Sequence, residues 1–167
     1  MEELVIRAAG PADLLAVLAI HGQDPSSIAT ELQRYTWERM MRRSEDLTVY
    51  LAEIDGKPVG TATQLVMPNV TYDCLPTAFI EAVVVAAEYR RRGIASAMLR
   101  RLLEDARRAG CNKVQLLSHK RHAADGAHSL YSSLGFEPEA EGFRLYLQRM
   151  PEAVQAARYR KSEPTNG

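Results

Sequence analysis

AFIEAVVVAAEYRRRGIASAMLRRLLEDARRAG, residues 78–110, contains three patterns in succession. Ala78 to Ala87 is an apolar run interrupted only by Glu81. It is short and rich in valine, which suits a buried strand better than a helix. Arg90-Arg91-Arg92-Gly93 is a basic turn. Beyond it, Ala95, Met98, Leu99, Leu102, Leu103 and Ala106 recur at the three- and four-residue spacing of one helical face. Arg100, Arg101, Glu104, Asp105 and Arg108 fall on the other face, and Gly110 is placed to end the helix.

Strand, glycine-containing turn and helix make a particular kind of end. The first turn of a helix has backbone N–H groups without intrahelical partners, and the macrodipole adds partial positive charge. Such an end accepts phosphate or pyrophosphate through the main chain. Gly93 lets an anion approach closely, and Arg90, Arg91 and Arg92 add charge. The plainer reading of the same residues is a helix start carrying a solvated arginine cluster. The turn lacks the three glycines of a dinucleotide fingerprint and the Gly-Lys-Ser/Thr ending of a nucleotide-triphosphate loop.

The chain of 167 residues suits one domain with a substantial core. Lys plus Arg and Asp plus Glu balance at 21 each, which argues against a general nucleic-acid coat or a membrane-surface protein. No apolar run reaches the length of a membrane span. Cys74 and Cys111 form no closely spaced pair, so neither a disulfide framework nor a zinc site is indicated. His119, His122 and His128 lack the spacing of a metal site, and no metal is expected. The acidic, then strand-like N-terminus is unlike a signal peptide, and a cytoplasmic protein is the default expectation.

Along the chain, Leu4 to Ala8 reads as a strand, Pro11 opens a helix, and a second helix covers about Ile28 to Arg43. These two helices could wall an acceptor pocket, although the single tryptophan, Trp37, reads first as core. Leu47–Ile54 and Val59–Met67 flank Asp55-Gly56, a strong hairpin signal. Pro68 to Pro76 is an irregular loop. Lys113 to Ser118 is a strand, followed by the basic loop His119 to His122. Asp125 to Leu134 is a short helix, and Phe136 to Leu147 a closing hairpin. The polar tail includes a short helix near Glu152 to Tyr159 and then disorder. The expected fold is α/β, with helices on both faces of a mixed sheet.

Arg90-x-x-Gly93-x-Ala95 resembles the R/Q-x-x-G-x-G/A signature of the GNAT superfamily of acyl-CoA-dependent N-acyltransferases. Leu130-Tyr131-x-x-Leu134-Gly135-Phe136, with Ala127 before it, resembles the family's A-x-x-L-Y-x-x-x-G-F motif. One helix and one strand separate the two, as in the family, and the similarity covers roughly residues 4–149. The resemblance implies a mostly antiparallel sheet of about seven strands with about four helices. It implies a single domain over 1–150, with a tail over 151–167.

It also implies acetyl-CoA as cosubstrate. The pyrophosphate would sit on the amides from about Arg91 to Ser96, Ile94 and Ala95 among them, with Arg90 beside it. The pantetheine would pair with Val83, Val84 and Val85, and a backbone N–H there would polarise the thioester carbonyl. An amine attacking a thioester must be neutral, so a proton acceptor is needed, and the departing thiolate benefits from an acid. Glu81 is the candidate base: burial in an apolar strand would raise its pKa. The segment Ile80-Glu81-x-Val83-Val84-Val85 resembles the glucosamine-6-phosphate N-acetyltransferase type. The competing reading of Glu81 is an ion pair with an arginine. Tyr131 is the candidate acid; the competing reading is a core tyrosine bonded to backbone.

Two features depart from the family: Ala124 replaces a frequent CoA-contacting asparagine, and Ala95 replaces glycine. The expected partners are acetyl-CoA and a small amine, without nucleic acid or membrane, and with a homodimer as an admissible assembly. The alternatives are a non-catalytic acyl-CoA-binding or partner-binding domain, and a protein N-terminal or lysine acetyltransferase.

Overall fold

A computed structural model describes residues 2–119, 126–143, 145 and 147 of the chain. The chain divides into two compact units, Met1–Glu137 and Pro138–Gly167, and every element below belongs to the first. β1 (Leu4–Ala8) leads through a 3₁₀ turn, Pro11–Asp13, into α1 (Leu14–Ile20). There follow α2 (Glu31–Met41), β2 (Leu47–Ile54), β3 (Lys57–Met67), β4 (Thr77–Val85), α3 (Ile94–Arg108), β5 (Lys113–Leu116) and α4 (Ala127–Ser133).

Local chemistry sets several of these boundaries. Thr30 and Gln33 form a reciprocal capping box at the start of α2: Gln33 N–H donates to Thr30 Oγ1 at 3.2 Å, and Thr30 N–H to Gln33 Oε1 at 2.8 Å. Asp55 and Gly56 both take positive φ, 49° and 78°, as the tight hairpin between β2 and β3 requires.

The five strands lie in sequence order, β1-β2-β3-β4-β5, antiparallel except for the parallel β4–β5 pair. Against the expectation of about seven strands, the described residues form five. The expected closing hairpin, Phe136 to Leu147, shows no strand among its described residues, and Arg144 and Tyr146 lie outside them. Pro138, Gly142 and three glutamates interrupt the apolar alternation there, which disfavours a paired strand. The tail over 151–167 lies outside the described residues as well.

Alternation along β2 separates two layers. Tyr50, Ala52 and Ile54 pack with Ile94, Met98, Leu99 and Leu102 of α3. On the other face α1 and α2 cover the sheet, with Val49 and Trp37 buried. Trp37 Nε1 donates to the Pro11 carbonyl at 3.1 Å, so it is core as expected. Gly60 allows α3 to close down, since a Cβ there would lie 3.0 Å from Met98 Sδ and 3.3 Å from the Val84 carbonyl oxygen.

Two polar networks tie the layers together. Buried Tyr50 donates its hydroxyl to Asp105 Oδ2 at 2.8 Å, and Arg101 Nε donates to the same oxygen at 2.8 Å. Burial, and then the Asp105 bond, hold the Tyr50 hydroxyl well above the usual tyrosine range. Buried Gln64 donates to the Leu102 carbonyl at 2.8 Å. At the opposite edge, the Arg7 guanidinium is gripped from two sides. Nη1 and Nη2 donate to Asp13 at 2.7 and 3.0 Å, and Nε and Nη2 donate to Glu53 at 3.1 and 2.6 Å. The Arg7 bond holds the Asp13 carboxyl below its ordinary value of 3.8, helped by the Gly10 N–H.

Two stability predictions follow from these networks. Tyr50→Phe removes a donor to a carboxylate and should lower unfolding free energy by about 1–2 kcal/mol, read from the urea midpoint; an unchanged midpoint shows that the bond contributes nothing. Because the folded Asp13 carboxyl has the lower pKa, the unfolded chain takes up its proton first as pH falls. Stability should therefore decline from about pH 5 downward, and Asp13→Asn should be both weaker at pH 7 and flatter in that window. Parallel acid profiles for the two proteins would refute this.

Candidate active site

β4 is where the sheet opens. Its parallel pairing with β5 runs from Thr77↔Lys113 to Ile80↔Leu116, where β5 ends. β4 continues to Val85, paired with β3 on its other side. Among the described residues, the β5-facing edge from Glu81 onward therefore has no strand beside it.

At that divergence β4 holds one residue more than β3. Thr63 faces Glu81 and Thr61 faces Val84, so Ala82 and Val83 share one opposing position. Ala82 takes φ of 54°, a conformation that costs a residue with a Cβ roughly 1–2 kcal/mol. A bulge of this kind re-aims the side chains that follow it. Ile80 points into the α3 core before the bulge, and Val83 and Val85 pack against that core after it. Strict alternation would have turned Val83 and Val85 away.

Directly opposed residues on an antiparallel pair share a face, so Glu81 lies on the same face as Thr63. That is the face covered by α1 and α2. The expectation of a buried Glu81 is corrected: its side chain is exposed, because the strand on its β5 side has ended. No ion pair of Glu81 with an arginine is present among the described residues.

The turn after β4 leads to α3 through Arg91 and Gly93, both in the left-handed region at φ of 62° and 78°. No side chain caps α3, and its first helical bond runs from Ala97 N–H to the Gly93 carbonyl at 3.0 Å. The N–H groups of Ile94, Ala95 and Ser96 thus have no intrahelical or side-chain acceptor among the described residues. Ile94 itself is buried in the core, which fixes this end against the sheet.

The three arginines divide. Arg90 Nε donates to the Val85 carbonyl at 3.1 Å, tying the turn to the end of β4. Arg92 pairs with Glu2 and lies over the Tyr89 ring, 5.3 Å from its centroid. Arg91 reaches α4: a Cβ on Gly126, its N-cap residue, would lie 2.9 Å from Arg91 Nη1. Of the basic loop His119 to His122, Lys120, Arg121 and His122 lie outside the described residues, as does Ala124.

Tyr131 is on α4. Its ring meets Phe136 edge-on, centroids 6.1 Å apart at 73°, and it packs against the core that Val83 and Val85 also join. The fold thus gathers Glu81, the valines, the turn and the start of α3 along one continuous path, and brings Tyr131 to the core beneath it.

On the opposite face lies a cavity of about 340 Å³, between α1, α2 and the sheet. Leu18, Trp37, Met40, Val49, Thr63 and Ala82 are among its walls. The bulge is therefore shared by the cavity and the open edge. Thr63 and Ala82 were not foreseen as site residues. The hairpin register could have pointed to Thr63; nothing in the sequence marks Ala82 for positive φ. A larger cavity, about 600 Å³, lies at the other end of β4 beside Pro76 and Cys74. It is remote along β4 from the bulge, and its cations are occupied: Arg43 pairs with Asp46 at 2.6 Å and Arg42 with Glu38 at 3.3 Å.

Comparison with known proteins identifies the family. The model of the acetyltransferase (GNAT) family matches residues 14–136. A glucosamine 6-phosphate N-acetyltransferase of Trypanosoma brucei brucei is 33% identical over 109 residues, 65% of this chain and 71% of the relative. A solved structure from Agrobacterium tumefaciens strain C58, described as an acetyltransferase, has 36% identity and a TM-score of 0.76, covering 85% of this chain and 99% of that one. An aminoglycoside N-acetyltransferase solved with CoA shares the fold at 19% identity and a TM-score of 0.69, covering 90% of this chain and 97% of its own. The chain belongs to the acetyltransferase (GNAT) family and is an acetyl-CoA-dependent N-acetyltransferase.

Proposed function

We propose that the chain transfers the acetyl group of acetyl-CoA to a primary amine of a small molecule, by direct attack within a ternary complex. The observation that carries this reading is the Ala82 bulge, which joins the open edge of β4 to the cavity under α1 and α2. A donor laid along the edge and an acceptor in the cavity meet there.

In this reading the amides of Ile94, Ala95 and Ser96 hold the pyrophosphate, with Arg91 beside it and Gly93 leaving the approach clear. Val83, Val84 and Val85 offer backbone groups to the pantetheine arm, and a backbone N–H at the bulge stabilises the oxyanion. Glu81 takes the ammonium proton, directly or through water, so that the nitrogen lone pair can form the C–N bond. As the C–S bond breaks, Tyr131 protonates the sulfur, giving free CoA, and the second nitrogen proton, lost as the adduct becomes the amide, passes through water to the Tyr131 phenolate. Exposure of Glu81 favours the route through water, since the carboxylate remains hydrated.

The donor half of the proposal is tested by calorimetry with acetyl-CoA. Gly93→Glu should weaken binding at least about tenfold, whereas Gly93→Ala, which keeps the strain but not the charge, should lose less. Equal affinities in all three proteins would move the pyrophosphate elsewhere. For the chemical step, Glu81→Gln and Tyr131→Phe should each lower kcat/KM on a verified acceptor by about 10²- to 10⁴-fold. Unchanged values in both would remove these two residues from the mechanism.

A further inference from the structure

We infer that the acceptor is a primary amine carried on an uncharged, apolar body, with the nitrogen at the Ala82 bulge and the body inside the cavity. This rests on the acetyltransferase reading above and narrows its substrate class. Among the described residues, none that lines the cavity is Lys, Arg, Asp or Glu. Most of the wall is hydrocarbon or indole, from Leu14, Val17, Leu18, Leu32, Trp37 and Met40.

The polar members contribute less than their names imply. Gln33 is committed at both ends: Oε1 accepts from the Thr30 N–H at 2.8 Å, and Nε2 donates to Gln23 Oε1 at 2.8 Å. The Trp37 N–H is committed to Pro11. Thr36 and Thr63 are neutral, and His21 is the titratable residue of the wall. A phosphate or carboxylate entering here would lose water without gaining a guanidinium or ammonium, a loss of several kcal/mol by the usual scale.

One charge is nevertheless supplied. Glu81 opposes Thr63 on the cavity's face of the sheet, next to Ala82 of the wall but outside the lining, so an acceptor's ammonium at the bulge has a carboxylate nearby while its remainder meets hydrocarbon. The volume, about 340 Å³, is near the lower end of ligand pockets and suits a single ring or a short alkyl chain. Leu32 forms the lip, lining the cavity while remaining 73% exposed.

The experiment uses the full chain. Acetyl-CoA binding is measured by calorimetry, and thiol release is then followed with 2-phenylethylamine, hexylamine, phenylalanine, glucosamine 6-phosphate and spermidine. 2-Phenylethylamine and phenylalanine differ by a carboxylate alone, so their ratio reads the cost of an anion in the cavity. The two apolar amines should exceed the other three in kcat/KM by at least about tenfold. Leu32→Glu, at an exposed position that tolerates substitution, should lower 2-phenylethylamine turnover about tenfold and raise that of spermidine. Parity or preference for phenylalanine, glucosamine 6-phosphate or spermidine overturns the inference, as does silence of the whole panel with acetyl-CoA bound. Failure to bind acetyl-CoA overturns the acetyltransferase reading itself.

Discussion

β4 has to satisfy two neighbours that do not stay parallel. Its ladder with β3 extends to Val85, while its ladder with β5 stops at Ile80. The extra residue at Ala82 absorbs the difference, at the cost of a left-handed backbone at a residue with a Cβ. The proposed site depends on that accommodation. Without the bulge, Val83 and Val85 would turn out of the α3 core and the alternation of the strand would run on unbroken. With it, one strand presents a carboxylate to one face, hydrocarbon to the other, and free backbone along its edge.

The start of α3 illustrates how charge and main chain divide the work. Arg90 and Arg92 look in sequence like a phosphate cluster, yet one is bonded to the Val85 carbonyl and the other to Glu2. Both side chains stay exposed while making these bonds, so each ties the turn to a neighbouring element and keeps its charge at the surface beside the helix start. The helix start depends on uncapped N–H groups whose direction is set by burial of Ile94, Met98 and Leu99 below. Tyr50, Gln64, Asp105 and Arg101 pin the same helix further along. A bound anion there would meet dipoles already oriented, which is the condition for strong binding with little reorganisation.

Much of this was legible in advance, and for a physical reason. The valine run, the spacing of Met98, Leu99 and Leu102, and Asp55-Gly56 are local signals, and the elements they indicate are present with nearly the expected bounds. The turn into α3 was readable because a left-handed glycine before a helix start leaves a local mark. What was not readable depends on register. The exposure of Glu81 follows from β5 ending at Leu116, a residue far off in sequence. The positive φ of Ala82 follows from a mismatch between two ladders, and alanine gives no hint of it. The hairpin expected from Phe136 onward shows no strand among the described residues, where Pro138 and three glutamates interrupt the apolar ones.

The two halves of the site also differ in how far relatives inform them. In the proposed reading the donor half is built from backbone amides, a glycine and an apolar strand, and such a half can hold one ligand through side-chain changes. The proposed acceptor half is lined mainly by side chains of α1 and α2, outside β4 and α3. Similarity of about a third in identity therefore supports a shared donor far better than a shared acceptor. In this chain Thr30 and Gln33 cap α2, and the capping holds Gln33 away from any ligand. The same device that starts the helix thus occupies the amide of a polar member of the cavity wall, so that one pair of residues sets both the helix start and the hydrogen-bonding capacity of that wall.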